Sequence, residues 1–122
     1  MSKYSGKYDL EERTARFGED IIFFCKKIKL NTVSKPLVSQ IVRSATSIGA
    51  NYMEANGAVS KKDFRYKIHI CKKEAQETKH WLRMITAADD ELKELVNKLL
   101  QEAQELTLIF HSIAKTTAKN LE

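Results

Sequence analysis

Apolar residues along this chain recur at the three- and four-residue spacings of amphipathic helices, in four successive segments. In the second segment, residues 34–59, one side is apolar and the other carries small polar groups, and the only charged residues are Lys35, Arg43 and Glu54. A helix with one side in water usually carries more charge than this. We therefore expect the second helix to be enclosed on most sides, with the rest of the chain packed around it.

Capping signals set the ends of the first two predicted helices. Asp9 is expected to cap a helix that ends near Leu30, before three poor helix formers. The second helix should run from about Lys35 to Asn56. Gly57 follows it and suits the left-handed backbone conformation that ends many helices. The short connection favours an antiparallel arrangement of the two helices.

Similar signals place the other two helices and complete the fold prediction. Ser60, with Asp63 three residues later, resembles a capping box at the start of a third helix over about residues 61–87. Asp89 or Asp90 is expected to cap a fourth helix. Four helices of about 20 to 28 residues, joined by short turns, predict an all-α fold, an antiparallel up-down-up-down four-helix bundle.

Length and composition favour one helical domain. The chain has 122 residues with only 4 glycines and 1 proline, so residues 1–122 should form a single domain, with about 1–8 and 119–122 loosely ordered. Cys25 and Cys71 lie inside apolar patterns, and we interpret both as small buried residues in a reducing compartment. Neither an apolar leader nor a run long enough to span a bilayer is present, so we expect no membrane association and a cytoplasmic protein.

Residue patterns associated with catalysis are missing from the sequence. Glu77 and His80 match half of a carboxylate-bridged di-iron motif, but the second half fails because Leu108 stands three residues before His111. There is no glycine-rich phosphate loop, nucleophile elbow or catalytic triad pattern. We therefore predict no enzyme activity, no metal and no cofactor.

Positive charge is concentrated on the third predicted helix. The chain has a net charge of +5, and residues 60–87 hold eight lysines and arginines against three acidic residues. Seven of these cations share one side, which we call the basic face: Lys61, Lys62, Arg65, Lys72, Lys73, Lys79 and Arg83. Such a row suits contacts with the phosphates of RNA or DNA, without sequence specificity. The alternative is a merely solvated face, or one neutralised by the acidic fourth helix of the same or a neighbouring subunit.

Polar side chains on the second and third helices are candidates for a buried network. They are Gln40, Arg43, Ser47, Asn51, Glu54, Glu74 and Glu77. Arg43 would neutralise a carboxylate, and Ser47 and Asn51 would satisfy its remaining lone pairs, because an unpaired buried charge is costly. We interpret the network as a device that sets helix or subunit registry, with ligand binding as the alternative.

A second apolar and aromatic strip runs along the third helix, away from its core stripe. We call it the aromatic strip, and it comprises Tyr66, Ile70, Trp81 and Met84. A lone bundle would leave this strip in water, and large aromatic residues outside a core are typical of interfaces. We therefore predict a homo-oligomer whose subunit interface buries these four side chains.

The centre of the chain resembles a known family. The matching residues are Arg43, Ala45, Ser47, Ile48, Asn51 and Glu54, then residues 60–64 and 73–78, then Trp81 and Leu82. They are similar to the four-helix-bundle proteins encoded in intervening sequences of bacterial 23S ribosomal RNA genes, over about residues 10–115. The resemblance implies a homo-oligomer, typically a ring of five bundles, with no established enzyme activity.

Two functions stay open at this point. The first is a cytoplasmic, ring-forming bundle that binds nucleic acid, structured RNA in particular, through the basic face. The fold is also similar to the accessory protein of diversity-generating retroelements, a basic pentamer that binds a reverse transcriptase and nucleic acid. That similarity implies the alternative, a protein-interaction scaffold or accessory subunit, for example of a reverse transcriptase.

Overall fold

Each of the four apolar stripes forms a helix. The structure, a computed structural model, describes the backbone of residues 9–121 and the side chains of residues 9–119. Its helices are α1 (Leu10–Cys25), α2 (Ser34–Asn56), α3 (Lys61–Ala88) and α4 (Lys93–Leu121), with a 3₁₀ turn at Asp90–Leu92 before α4. The all-α class and the four-helix bundle are confirmed. Of the ends expected to be loosely ordered, residues 1–8 and 122 lie outside the described residues.

The helices bury their apolar stripes against one another. Phe17 of α1, Ile48 of α2, Leu82 of α3 and Phe110 of α4 are all fully buried. Burial of side chains of this size contributes about 1.5–3 kcal/mol each, and this burial holds the four helices together. Cys25 and Cys71 are also buried, as predicted, and burial raises the pKa of the Cys71 thiol to about 12.

Helix α3 packs along its length against both α2 and α4. Arg43 in the first half of α2 contacts Glu74 of α3, whereas Glu54 near the end of α2 contacts Lys67 near the start of α3. The two helices therefore run antiparallel. Contacts between α3 and α4 reverse in the same way, as described below for the candidate site.

The first helix ends earlier than predicted, at Cys25 and not near Leu30. The amide of Lys27 bonds to the carbonyl of Phe24, which tightens the last turn and turns the chain away. Asn31 then caps α2, because its side-chain oxygen accepts the amide of Ser34 at 2.9 Å and the Ser34 hydroxyl accepts the amide of Asn31 at 2.9 Å.

Other capping predictions had mixed outcomes. Gly57 has φ −95° and ψ 7°, so the left-handed conformation predicted for it is wrong, and Asp9 makes no side-chain capping bond. The Ser60 cap is confirmed, because its hydroxyl accepts the amide of Asp63 at 3.0 Å. Asp89 caps the 3₁₀ turn, accepting the amide of Glu91 at 3.2 Å, and not α4 directly.

Helices α1 and α2 approach closely at two glycines. A β-carbon added to Gly49 would lie 3.3 Å from the Thr14 hydroxyl oxygen, and one added to Gly18 would lie 3.6 Å from the backbone of Thr46. Small residues at the crossing let the two backbones pack together.

Among the described residues, no helix combines the length and apolarity that crossing a membrane requires.

Candidate nucleic-acid interface

The basic face lies along α3 and borders the groove between α3 and α4. Four of its seven side chains are exposed: Lys61, Lys62, Lys73 and Arg83. The other three, Arg65, Lys72 and Lys79, are half-buried against α4. From Lys61 to Arg83 the rise of an α-helix gives the face a length of about 33 Å.

The half-buried cations of the basic face donate to neutral acceptors on α4. The Arg65 Nε–H donates to the Ala114 carbonyl at 3.4 Å, and the Lys72 ammonium donates to His111 Nδ1 at 3.1 Å. The Lys79 ammonium donates to the side-chain oxygen of Gln104. These bonds hold the side chains in place along the groove but leave their charges without counter-charges.

The acidic residues of α4 do not neutralise the basic face. Glu102 and Glu105 both contact Arg13 of α1, on the other side of α4. Between residues 9 and 119, none of the seven cations of the basic face lies within ion-pair distance of a carboxylate. Neutralisation of the face by α4 of the same chain, one alternative raised by the sequence, is therefore wrong for these residues.

Two histidines extend the basic face: His69, which the sequence already places on the basic side of the third helix, and His111, which sequence reasoning missed. His69 lies on α3 between Arg65 and Lys72, at spacings of four and three residues, so all three share one side of the helix. His111 comes from α4 and contacts Lys72 across the groove. The spacing of His69 was visible in the sequence, but the contribution of His111 depends on how α3 and α4 pack.

The predicted polar network contains one ion cluster that links α2 to α3. The Arg43 guanidinium donates to Glu74 at 3.1 Å and to Glu77 at 2.7 Å. Arg43 therefore neutralises the carboxylates, as predicted. In the single chain Glu74 is buried, but Arg43 retains 49% of its side-chain exposure.

The remaining members of the polar network do not join this cluster. The Ser47 hydroxyl donates to the carbonyl of Arg43, and the Asn51 amide donates to the carbonyl of Ser47, so both bond to their own helix. Their predicted role at the carboxylates is wrong, because short side chains on a helix reach the preceding turn more easily than a neighbouring helix. Glu54 is exposed and pairs with Lys67 at 3.0 Å. Gln40 is exposed, so the predicted enclosure of this side of α2 is wrong for the single chain.

The two carboxylates of the ion cluster titrate as a coupled pair. Burial raises the pKa of Glu74, against the opposing influence of Arg43. Hydrogen bonding with Glu74 and Arg43 lowers the pKa of Glu77. Both carboxylates therefore titrate as one unit with Arg43 between them.

The aromatic strip is less uniformly exposed than expected. Tyr66 is 62% exposed, but Ile70 and Met84 are partly buried. Trp81 packs against the core, with His80 edge-on to its ring at 4.9 Å between ring centroids. Its indole N–H is buried and has no acceptor among the described side chains and backbone. The prediction that a lone bundle leaves this whole strip wet is wrong for Trp81.

Two polar contacts of the core were missed by sequence reasoning. The Ser44 and Thr78 hydroxyls lie 2.9 Å apart between α2 and α3. Arg13 and Glu102 join α1 to α4. The sequence signal for this contact was Glu102 itself, a charged residue that follows Leu95 and Leu99 at the spacing of the buried stripe.

No group of three or more His, Cys, Asp and Glu side chains in the described part of the chain is arranged to hold a metal ion.

Comparison with known proteins identifies relatives of the chain. It matches the family described as 23S rRNA-intervening sequence protein over residues 7–112. It is similar to a 1.70 Å crystal structure of a protein with unknown function from the S23 ribosomal protein family of Bacteroides thetaiotaomicron, with 31% identity and a TM-score of 0.78. The similarity covers 87% of this chain and 98% of that chain. No curated protein matches the sequence at a significant level.

Proposed function

The chain belongs to the family of 23S rRNA-intervening sequence proteins, and we propose that it is a homo-oligomer that binds nucleic acid, RNA in particular, through the basic face of α3. The proposed activity is binding and not catalysis, in the cytoplasm. The similar crystal structure comes from a family named for a ribosomal protein, which supports RNA over DNA as the partner.

The observation that carries the proposal is a row of cations that form no ion pair with a carboxylate of the described residues. All seven members of the basic face lie on one helix, and within residues 9–119 none pairs with a carboxylate. Unpaired lysines and arginines spaced along about 33 Å suit successive phosphates of a nucleic-acid backbone, from which binding releases condensed counterions. Arg65 and Lys79 are already positioned by hydrogen bonds to α4, so binding orders fewer side chains.

Assembly would place several copies of the basic face on one oligomer. We propose that subunits associate through the aromatic strip, led by the exposed ring of Tyr66, into the ring of five that the family resemblance implies. Repetition of the face around a closed ring gives several equivalent contacts to one RNA, and linked contacts raise the overall affinity above that of one subunit.

Charge reversal tests the proposed interface. We expect the Lys72→Glu, Lys79→Glu variant to bind a fluorescently labelled structured RNA at least about tenfold more weakly than the wild-type protein, by fluorescence anisotropy. The matched control is Lys26→Glu, Lys35→Glu, which changes the net charge equally at exposed lysines outside the basic face. We expect the control to keep affinity within about threefold.

Equal weakening in both variants would assign binding to net charge and contradict the proposed face. A wild-type protein that binds no RNA, but retains a protein partner after nuclease treatment of a lysate, would replace the proposal with the scaffold or accessory-subunit alternative. Circular dichroism of both variants confirms that the comparison is between folded proteins.

A further inference from the structure

Four nitrogen-bearing side chains converge on the groove between α3 and α4, at the middle of the basic face. Arg65, His69 and Lys72 occupy one side of α3 at spacings of four and three residues. His111 faces them from α4. Arg65 reaches the carbonyl of Ala114, three residues beyond His111, so Arg65 and Lys72 both contact residues 111–114 of α4.

The contact between Lys72 and His111 shows which of the two groups accepts the hydrogen bond. An ammonium group only donates hydrogen bonds, so His111 Nδ1, at 3.1 Å from Lys72 Nζ, must be the acceptor. In this contact the lone pair of His111 Nδ1 points toward the ammonium group of Lys72. Neither Lys72 nor His111 faces an anion in this contact, so an anion bound here would accept a charge-assisted hydrogen bond from Lys72.

The charged groups that shift the pKa of His69 are all of one sign. Burial lowers the pKa of His69, and the nearby Arg65, Lys72 and His111 lower it further. Lys73 on α3 and, one turn beyond His111, Lys115 on α4 add further cations close in sequence, whereas Glu74, the nearest carboxylate in sequence, is paired with Arg43 of α2. No carboxylate contributes to the shift at His69. An added anion would therefore reduce the repulsion from Arg65 and Lys72.

We propose that Arg65, His69, Lys72 and His111 form one phosphate-binding site, and that a backbone phosphate of the nucleic acid binds there together with a proton taken up by a histidine. The site rests on the proposed function and makes it more specific, because it assigns one phosphate to named side chains of two helices. Arg65 supplies a forked donor and Lys72 a compact charge. Lys72 turns from His111 to the phosphate, which frees Nδ1 to accept a proton and become a donor.

Proton uptake by a histidine makes the affinity for nucleic acid depend on pH in a defined direction. A bound phosphate favours the charged form of a neighbouring imidazole, so it raises the pKa of His69 and of His111 relative to the free protein. The complex then holds more protons than the free protein at pH values near the histidine range. Affinity must rise as pH falls through that range, by at most about tenfold per pH unit for each proton taken up.

The three histidines of the chain provide the test and its control. RNA affinity at constant ionic strength is measured at several pH values between about 5.5 and 8 for the wild-type protein and three variants, His69→Gln, His111→Gln and His80→Gln. His80 lies against Trp81 and is the matched control. As pH rises across this range, we expect affinity to fall about fivefold or more in the wild-type protein and in His80→Gln. In His69→Gln and His111→Gln we expect most of this fall to disappear. The same pH dependence in all four proteins would overturn the proposal.

A second measurement needs no variant and no RNA. Histidine pKa values of the wild-type protein are followed by NMR with and without inorganic pyrophosphate as the probe. We expect pyrophosphate to raise the pKa of His69 and His111 but not that of His80. If RNA does not bind at any pH and these two values still rise, the nucleic-acid function fails and the phosphate site stands. If RNA binds but the two values do not move, the site fails and the basic face stands.

Discussion

Arg13 of α1 forms a two-point ion pair with Glu102 of α4, with Nε–Oε2 and Nη2–Oε1 distances of 2.8 and 2.7 Å. Only 12% of the Arg13 side chain and 4% of the Glu102 side chain are exposed. Helices α1 and α4 pack less extensively than the other neighbouring helices, so this pair is a principal link between them. The pair also directs the Glu102 carboxylate toward α1, and Glu102 makes no ion pair with the basic face of α3.

Removing Arg13 should destabilise the protein strongly. Arg13→Met leaves Glu102 buried without its partner, and the expected loss in the free energy of unfolding is about 3 kcal/mol. Urea denaturation measures the change. The control is Arg16→Met, which removes an exposed pair with Glu12 in the same helix and should cost less than about 0.5 kcal/mol. Equal stability of Arg13→Met and the wild-type protein would show that the pair does not link the helices.

The titration of Glu102 should weaken the fold as pH rises. Burial raises the pKa of Glu102 above its ordinary value of 4.5, even though Arg13 opposes the change. The folded state therefore binds this proton more tightly than the unfolded state. The stabilising contribution of Glu102 is full below about pH 4.5 and is lost as pH rises through the folded pKa.

Comparison with Glu102→Gln isolates this group. The wild-type protein should lose stability relative to the variant as pH rises above about 4.5, as measured by urea unfolding at each pH. A wild-type protein that gains stability relative to Glu102→Gln over the same range would contradict the assigned direction.

The close crossing of α1 and α2 makes Gly49 sensitive to size. A β-carbon at this position already lies 3.3 Å from the Thr14 hydroxyl oxygen, so Gly49→Val should force the helices apart and lower the free energy of unfolding by about 2 kcal/mol. Gly57 is the control, because its φ of −95° suits any residue and a β-carbon there lies 3.7 Å from its nearest neighbour. Gly57→Ala should be neutral or stabilising by about 0.5 kcal/mol. Thermal unfolding measures both variants. If Gly49→Val were more stable than Gly57→Ala, the crossing of α1 and α2 would be loose.

The sequence was sufficient to predict the number and type of helices, because helical periodicity depends on local spacing. The end of α1 was not predictable in the same way, since Asn31 and Ser34 cap α2 through a reciprocal pairing of side chains that apolar periodicity does not indicate. The Gly57 conformation was wrong for a related reason. Glycine permits the left-handed conformation but does not require it, and the chain leaves α2 with an ordinary turn.

The basic face was predictable from sequence, whereas its surroundings were not. The spacing of lysines and arginines on one helix is a local property. Which residues of α4 lie opposite depends on the rotation of α4 about its axis, and this rotation places His111 beside Lys72 and turns Glu102 away. The roles of Ser47 and Asn51 were predicted wrongly because each finds an acceptor within α2.

A substitution at Tyr66 tests the proposed assembly. Tyr66 is 62% exposed, so Tyr66→Glu should leave each bundle folded but reduce the mass of the assembly, as measured by light scattering. Phe23→Glu is the control, because Phe23 is similarly exposed, at 58%, on α1. A wild-type mass of 14.0 kDa at micromolar concentration, the mass of one chain, would contradict the oligomer.

The salt dependence of RNA binding tests the central claim most directly. In plots of log affinity against log salt concentration, each phosphate contact contributes a slope of about −0.7 on a single strand and about −0.9 on a double helix. Lys72→Gln, Lys79→Gln should therefore have a shallower slope than the wild-type protein on the same structured RNA, by about 0.7 to 0.9 for each phosphate that the variant no longer neutralises, whereas Lys26→Gln, Lys35→Gln should keep the wild-type slope. Three identical slopes, or an affinity that salt does not change, would contradict binding through the basic face of α3.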